Sequence, residues 1–184
     1  MLISNRITFD KDAIAMLTAD HKQVQKAFKD YERLKKRGSK RNKLEIVRQA
    51  CTDVKIHAII EEELFYPAVS RALKDKDLID KARVEHSEAN SLIVQLHSMQ
   101  PGDELYEAKF TVLGENIARH IKEEEGVMFP RVRKTKLDLV ALGDHMALRK
   151  AQLQSGMSLS ARKISAQKRI ESTSKVSAPE LRDV

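Results

Sequence analysis

The 184-residue chain has little of what marks disulfide-bonded, metal-thiolate or membrane proteins. Its single cysteine, Cys51, excludes an internal disulfide and any cysteine-based zinc or iron–sulfur site. No apolar run approaches the roughly 18 residues of a transmembrane helix, and the first residues lack the apolar stretch of a secretory signal. We therefore expect a cytoplasmic protein that does not span or anchor in a membrane.

A strong acidic balance is also missing, because 34 Lys and Arg outnumber 27 Asp and Glu for a formal net charge of +7. The densest basic cluster, residues 33–41, flanks a predicted turn between two helices. Tryptophan is absent, aromatic residues are 4% of the chain, and none interleaves with this cluster. Because no nucleic-acid-binding motif occurs either, we expect no specific nucleic acid partner.

Chain breakers are scarce, with six glycines and four prolines, and apolar residues recur every three or four positions. This period predicts an all-α chain. The predicted helices run from a cap at Thr8 or Asp10 to about Arg37, from about Asn42 to about Arg71, from about Lys76 to about Gln100, from a cap at Asp103 to about Arg133, and from about Lys136 to Gln154.

Four long helices with short connections predict an up-and-down antiparallel four-helix bundle with a short fifth helix. Residues 1–154 then form the bundle domain. Residues 155–184 contain seven serines and no aromatic residue. We expect this stretch to be a flexible, basic, Ser-rich tail.

A histidine interrupts the apolar stripe of each of the four long helices: His21, His57, His86 and His120. Glutamates follow two of these histidines after one helical turn, at Glu61 and Glu124, and therefore share their faces. The spacing along the chain suits climbing one helix, crossing a short loop and descending an equal distance. The six polar side chains are thus predicted to meet at one height in the core.

The sequence also repeats itself. Residues 57–67 align without gaps on residues 120–130, and Asp20-His21 aligns on Glu85-His86. Two similar helix pairs related by a pseudo-twofold axis account for both alignments.

One histidine on an apolar face is usually an ordinary hydrogen-bonded core residue. Six uncompensated polar groups at one height would exceed the stability of a small domain, because each buried charge costs several kcal/mol. A shared dimetal centre satisfies them, since imidazole and carboxylate ligands suit iron, manganese or zinc and bundle cores often hold such sites.

These residues resemble the hemerythrin-like HHE cation-binding family over roughly residues 10–150. The family pattern of a lone His, a His-x3-Glu, a second lone His and a second His-x3-Glu is matched by His21, His57/Glu61, His86 and His120/Glu124. The resemblance implies two non-haem iron ions. The histidines would be terminal ligands of the individual irons, and the two glutamates would bridge the irons together with an oxo or hydroxo group.

Oxygen-carrying hemerythrins differ from this chain at two places. They carry His-x3-His where this chain has His86 and Asn90, and a final His-x4-Asp where it has His120 and Glu125. Without the fifth histidine, both metals keep an open or labile position. This favours binding or sensing of dioxygen, nitric oxide or peroxide in a stress response over oxygen transport.

Two alternatives remain open on the sequence. The same centre could belong to a di-iron enzyme that consumes peroxide or reduces nitric oxide. The protein could also be regulatory, with its C-terminal tail docking a protein partner.

Other residues with reactive side chains are predicted to lie outside the metal centre. His97, 11 residues beyond His86, is too far along the helix to join the centre, and His145 falls on the fifth helix. The equivalent repeat residues Tyr66 and Phe129 are assigned to core packing rather than to redox chemistry.

Two further assignments concern residues beside predicted ligands. Glu62 and Glu125 either face solvent or orient the histidines, and the sequence leaves these alternatives open. Cys51 is predicted to be a buried, inert thiol.

Overall fold

The computed structural model describes the backbone of residues 12–174 and the side chains of residues 12–157. Within this part, helices and turns account for the fold and no strand occurs, which confirms the all-α prediction. No helix of the described residues is both long and apolar enough for a membrane span. The helices are α1 (Ala13–Leu34), α2 (Lys40–Ile60), α3 (Tyr66–Leu73), α4 (Lys76–Ser98), α5 (Tyr106–Glu123), α6 (Phe129–Val132) and α7 (Leu139–Ser174).

Side-chain caps begin three of these helices. Asp12 caps α1 by accepting from the Ala15 N–H at 2.8 Å, and Ser39 and Asp75 do the same for α2 and α4. Such caps satisfy backbone donors that the first turn leaves unpaired. The predicted caps of the first helix, Thr8 and Asp10, lie outside the described residues.

The predicted cap at Asp103 is wrong. Helix α5 begins at Tyr106, after Leu105 in the left-handed region at φ 66°. The Asp103 carboxylate instead accepts from the Gln100 N–H at 2.7 Å. It therefore closes the turn that follows α4, and α5 starts without a side-chain cap.

Two π-helical segments, Glu61–Phe65 and Glu124–Met128, interrupt the second and fourth predicted helices. The Tyr66 N–H donates to the Glu61 carbonyl five residues back, and the equivalent bond occurs in the second half. A proline follows each segment, at Pro67 and Pro130. Because proline removes a helical N–H and crowds the carbonyl four residues back, it disfavours a regular α-helix here.

Helix α1 packs mainly on α2, and α4 mainly on α5, while α1 also contacts α5 and α2 also contacts α4. The buried core of this bundle divides into two hydrophobic clusters. On α1, Leu17 belongs to one cluster and Val24 to the other, with His21 on the turns between them. On α4, Ala82 belongs to the first cluster and Ala89 to the second, with His86 between them. The histidines thus occupy the boundary between the two clusters.

Helix α7 is longer than the predicted fifth helix. It continues to Ser174 instead of ending near Gln154. The sequence of residues 155–174 contains no proline and many good helix formers, so the helix continues through Ser155 and Gly156. The helix contacts α1 and α2 and buries Met146 fully. Mobility of residues 155–184 stays a prediction, and residues 175–184 lie outside the described part.

Candidate metal centre

The structure brings all six predicted side chains together in the buried boundary layer. The Nε2 atoms of His21 and His57 are 3.2 Å apart, and those of His86 and His120 are also 3.2 Å apart. Each pair comes from one of the two helix pairs, α1 with α2 and α4 with α5. The site therefore contains two separate pairs of imidazole nitrogens.

The two glutamates connect these pairs. Glu61 Oε2 lies 3.2 Å from His57 Nε2 and 3.3 Å from His86 Nε2. Glu124 Oε2 lies 3.2 Å from the Nε2 atom of His21 and 3.5 Å from that of His120. Each carboxylate therefore touches one histidine of each pair, as a ligand shared by two metal ions would.

The donor set fits a metal. Ligands at right angles around an ion at about 2.1 Å are roughly 3 Å apart, close to the separations observed between these donors. Glu61 Oε1 and Glu124 Oε2 are buried acceptors without a hydrogen-bond partner among the described residues. Because buried acceptors are normally satisfied, a cation at the centre accounts for Glu124 Oε2, the oxygen that faces both histidine pairs.

Glu62 and Glu125 support histidines on neighbouring helices. Glu62 Oε1 lies 3.0 Å from His86 Nδ1, and Glu125 Oε1 lies 2.9 Å from His21 Nδ1. Both glutamates are about half exposed, so they face solvent and bind an imidazole at once. Such a carboxylate fixes the ring and its tautomer and leaves Nε2 free for a metal.

Sequence reasoning missed the other two carboxylates of this kind. Glu85 Oε2 lies 2.9 Å from His120 Nδ1, and Asp20 Oδ2 lies 3.7 Å from His57 Nδ1. The signal was present, because Asp20 and Glu85 align when the two halves of the sequence are superposed. An acidic residue precedes a histidine at both repeat positions, and a carboxylate at these largely covered positions needs a polar partner.

The metal-free cluster is strongly charged. Burial alone would lower the pKa of His57, but the carboxylates of Glu61, Asp20 and Glu124 raise it to about 10. Burial would likewise raise the pKa of Glu61, but His57 and His86 hold it well below its usual value. Protonated imidazole therefore faces ionised carboxylate in the absence of metal, and metal binding must displace protons.

Tyr66 belongs to the centre and not only to the core. Its fully buried hydroxyl donates to Glu124 Oε1 at 3.0 Å and lies 3.3 Å from His86 Nε2. Phe129, the equivalent residue of the other half, stacks on His21 with ring centroids 5.7 Å apart. The pseudo-twofold site is therefore asymmetric, with a phenol on the His86 side and none on the His21 side.

A cleft of about 360 Å³ between α2 and α4 reaches the outer edge of His86. Its walls include Val54, Ala58 and Ile93, and Asn90 lies on its rim. Phe28 occupies the repeat position that corresponds to Ile93 and lies 4.8 Å from the Phe110 ring, and the cavity that it lines includes none of the four histidines. The surface approach to the centre is therefore also asymmetric.

The remaining candidates lie apart from this cluster. His97 and His145 are exposed, and Cys51 is buried. Burial raises the pKa of the Cys51 thiol to about 12. A neutral thiol of this kind is a poor nucleophile and metal ligand.

Comparison with known proteins agrees with this architecture. The family model of the Hemerythrin HHE cation binding domain matches residues 12–132. A crystal structure of a hemerythrin HHE cation binding domain-containing protein from Mycobacterium kansasii superposes with a TM-score of 0.69 at 23% identity, covering 83% of this chain and 93% of that one. No curated protein matches the chain significantly. At this identity, the likeness to the crystal structure shows the fold alone.

Proposed function

This chain belongs to the hemerythrin HHE cation-binding domain family, and from that premise we propose that it is a non-haem di-iron protein that binds or senses small oxidants in a stress response. The bundle would have the up-and-down antiparallel order that its short connections predict. The observation that carries the proposal is the contact of each glutamate with one histidine from each pair.

Two ion positions follow from these contacts. His21 and His57 would hold one ion, His86 and His120 the other, and the two glutamates would bridge them. An iron pair supplies one- and two-electron redox chemistry and open coordination positions for dioxygen, nitric oxide or peroxide. Nitrogen-rich ligation with mixed carboxylates suits iron, although manganese and zinc accept the same donors.

The protein's own residues control access and protons at this centre. The two hydrophobic clusters above and below the site exclude bulk water. Burial and the nearby carboxylates raise the pKa of the Tyr66 hydroxyl well above its usual value, so this group stays protonated and remains a hydrogen-bond donor. The cleft beside His86 offers small molecules a route to the side that carries this donor.

The test is metal analysis combined with optical spectra under air, after reduction, and with nitric oxide. We expect about two irons per chain, absorption from an oxo-bridged pair under air, and a new band with nitric oxide. Glu61→Ala and Glu124→Ala should lose these features, while the exposed-site variant His97→Gln should retain them. Less than one iron per chain without oxo-bridged absorption would contradict the proposal.

Tyr66 favours a second candidate function, an enzyme that consumes peroxide or reduces nitric oxide. A buried O–H donor 3.0 Å from a predicted bridging carboxylate would stabilise the negative charge of a reduced ligand by a hydrogen bond. Steady turnover with a reductant, lowered by Tyr66→Phe at unchanged iron content, would distinguish an enzyme from a sensor. A single stoichiometric reaction without turnover would exclude the enzyme.

A further inference from the structure

Lys150 connects helix α7 to the metal centre. Its ammonium group donates to Asp20 Oδ1 in a close ion pair, and the other oxygen of Asp20 faces His57 Nδ1. Helix α7 lies beyond residues 12–132, the part that matches the family model. The contact is therefore made by a segment outside the family-matched bundle.

The carboxylate that Lys150 holds is the one that supports its histidine least. The other three outer carboxylates lie 2.9 to 3.0 Å from an imidazole Nδ1 atom. Asp20 Oδ2 lies 3.7 Å from His57 Nδ1, too far for a hydrogen bond. His57 Nδ1 is accordingly buried without a hydrogen-bond partner among the described side chains.

The equivalent position in the second half shows the opposite balance. Glu85 Oε1 lies 3.8 Å from Arg119 Nε, a long contact, while Glu85 Oε2 lies 2.9 Å from His120 Nδ1. Asp20 has a close contact with its cation and a long one with its imidazole. Glu85 has a long contact with its cation and a close one with its imidazole. The two halves therefore differ in the direction expected if cation and imidazole compete for one carboxylate.

We propose that Lys150 is a positioning residue that draws Asp20 away from His57 and weakens the hold of His57 on the metal. An outer carboxylate strengthens a histidine ligand by accepting its second N–H, and Lys150 reduces that support. The inference rests on the proposed function, since it assumes that the cluster binds metal. It makes the docking of α7 a determinant of metal retention at one of the two ion positions.

The test compares three variants of the full chain. Lys150→Met removes the competing cation, Lys150→Arg keeps it, and Arg149→Met removes the neighbouring ion pair of α7. Arg149 is a matched control because it binds Glu63 at 2.7 and 3.0 Å, and Glu63 makes no contact with the histidines among the interactions found. All three variants are loaded with iron and then exposed to a chelator.

We expect one of the two ions to leave about tenfold more slowly from Lys150→Met than from the wild type, the low end of effects known for outer-shell changes. Lys150→Arg and Arg149→Met should release iron at the wild-type rate. Equal release from Lys150→Met and Arg149→Met, or faster release from Lys150→Met, would overturn the inference.

A second measurement uses the metal-free protein. In proton–nitrogen-15 correlation NMR, the signal of the proton on His57 Nδ1 should shift downfield in Lys150→Met, because Asp20 can then approach and accept a hydrogen bond from it. It should not move in Arg149→Met. A wild-type protein that binds no metal contradicts the proposed function, whereas an unmoved His57 proton in Lys150→Met contradicts the competition itself.

Discussion

Three buried tyrosine hydroxyls provide a sharp test of the site's electrostatics. Tyr31, Tyr66 and Tyr106 are all fully buried. Only Tyr66 hydrogen-bonds a partner, and the hydroxyls of Tyr31 and Tyr106 have none among the described residues. Removing the hydroxyl should therefore lower the stability of the protein at Tyr66 but not at Tyr31 or Tyr106.

Tyr66→Phe should destabilise the metal-free protein by about 1.5–3 kcal/mol, the value of a hydrogen bond to a charged group. Phenylalanine has nearly the same shape and already occupies the equivalent position of the other half, at Phe129, so no cavity term is added. At about 2–4 °C per kcal/mol for a chain of this size, the melting temperature should fall by roughly 3–12 °C.

Tyr31→Phe and Tyr106→Phe should leave stability unchanged or raise it by about 1 kcal/mol, because they remove buried groups whose desolvation is not compensated. Urea denaturation of the three metal-free variants, each extrapolated to water, gives the comparison. Equal stabilities of Tyr66→Phe and Tyr31→Phe would refute the assigned role of the Tyr66 hydroxyl.

Three further predictions concern protonation, thiol chemistry and backbone entropy. Because folding raises the pKa of His57 to about 10, the protonated imidazole contributes its full stabilisation to the metal-free protein below its unfolded pKa of about 6.5. This contribution is lost as the pH rises towards 10. The free energy of unfolding in urea should therefore decline from pH 6 to 10, and His57→Gln should flatten the decline. Cys51, with its pKa raised by burial, should resist iodoacetamide at pH 8 in the native state and react fully in urea, as mass spectrometry would show. Gly126→Ala, whose added Cβ meets no atom within 4 Å, should raise unfolding free energy by about 0.5–1 kcal/mol, and a calorimetric decrease would contradict this.

Helical periodicity and the internal repeat were enough to predict the helices and the six clustered side chains. Each of these features depends on spacing along one helix, which the sequence states directly. The core packing predicted for Tyr66 is confirmed. The contact of its hydroxyl with Glu124 was missed, because only the fold brings these two side chains together. Spacing cannot report which polar atom meets which across helices.

The contact of Lys150 with Asp20 was beyond sequence reasoning for a related reason. It joins residues 130 positions apart, on two helices whose relative rotation depends on the packing of the whole core. The length of α7 was underestimated because a weak apolar pattern predicts little burial, while helix propensity alone can carry a helix past the bundle.

The paired π-helical segments set the direction in which the following residues present their side chains. Each adds one residue to a helical turn at the same place, directly at Glu61 and at Glu124. Deleting one residue from either segment would turn every side chain beyond it by about 100° around the helix axis. Tyr66 and Phe129 both follow the extra residue, so the phenol that meets Glu124 and the ring that stacks on His21 depend on it.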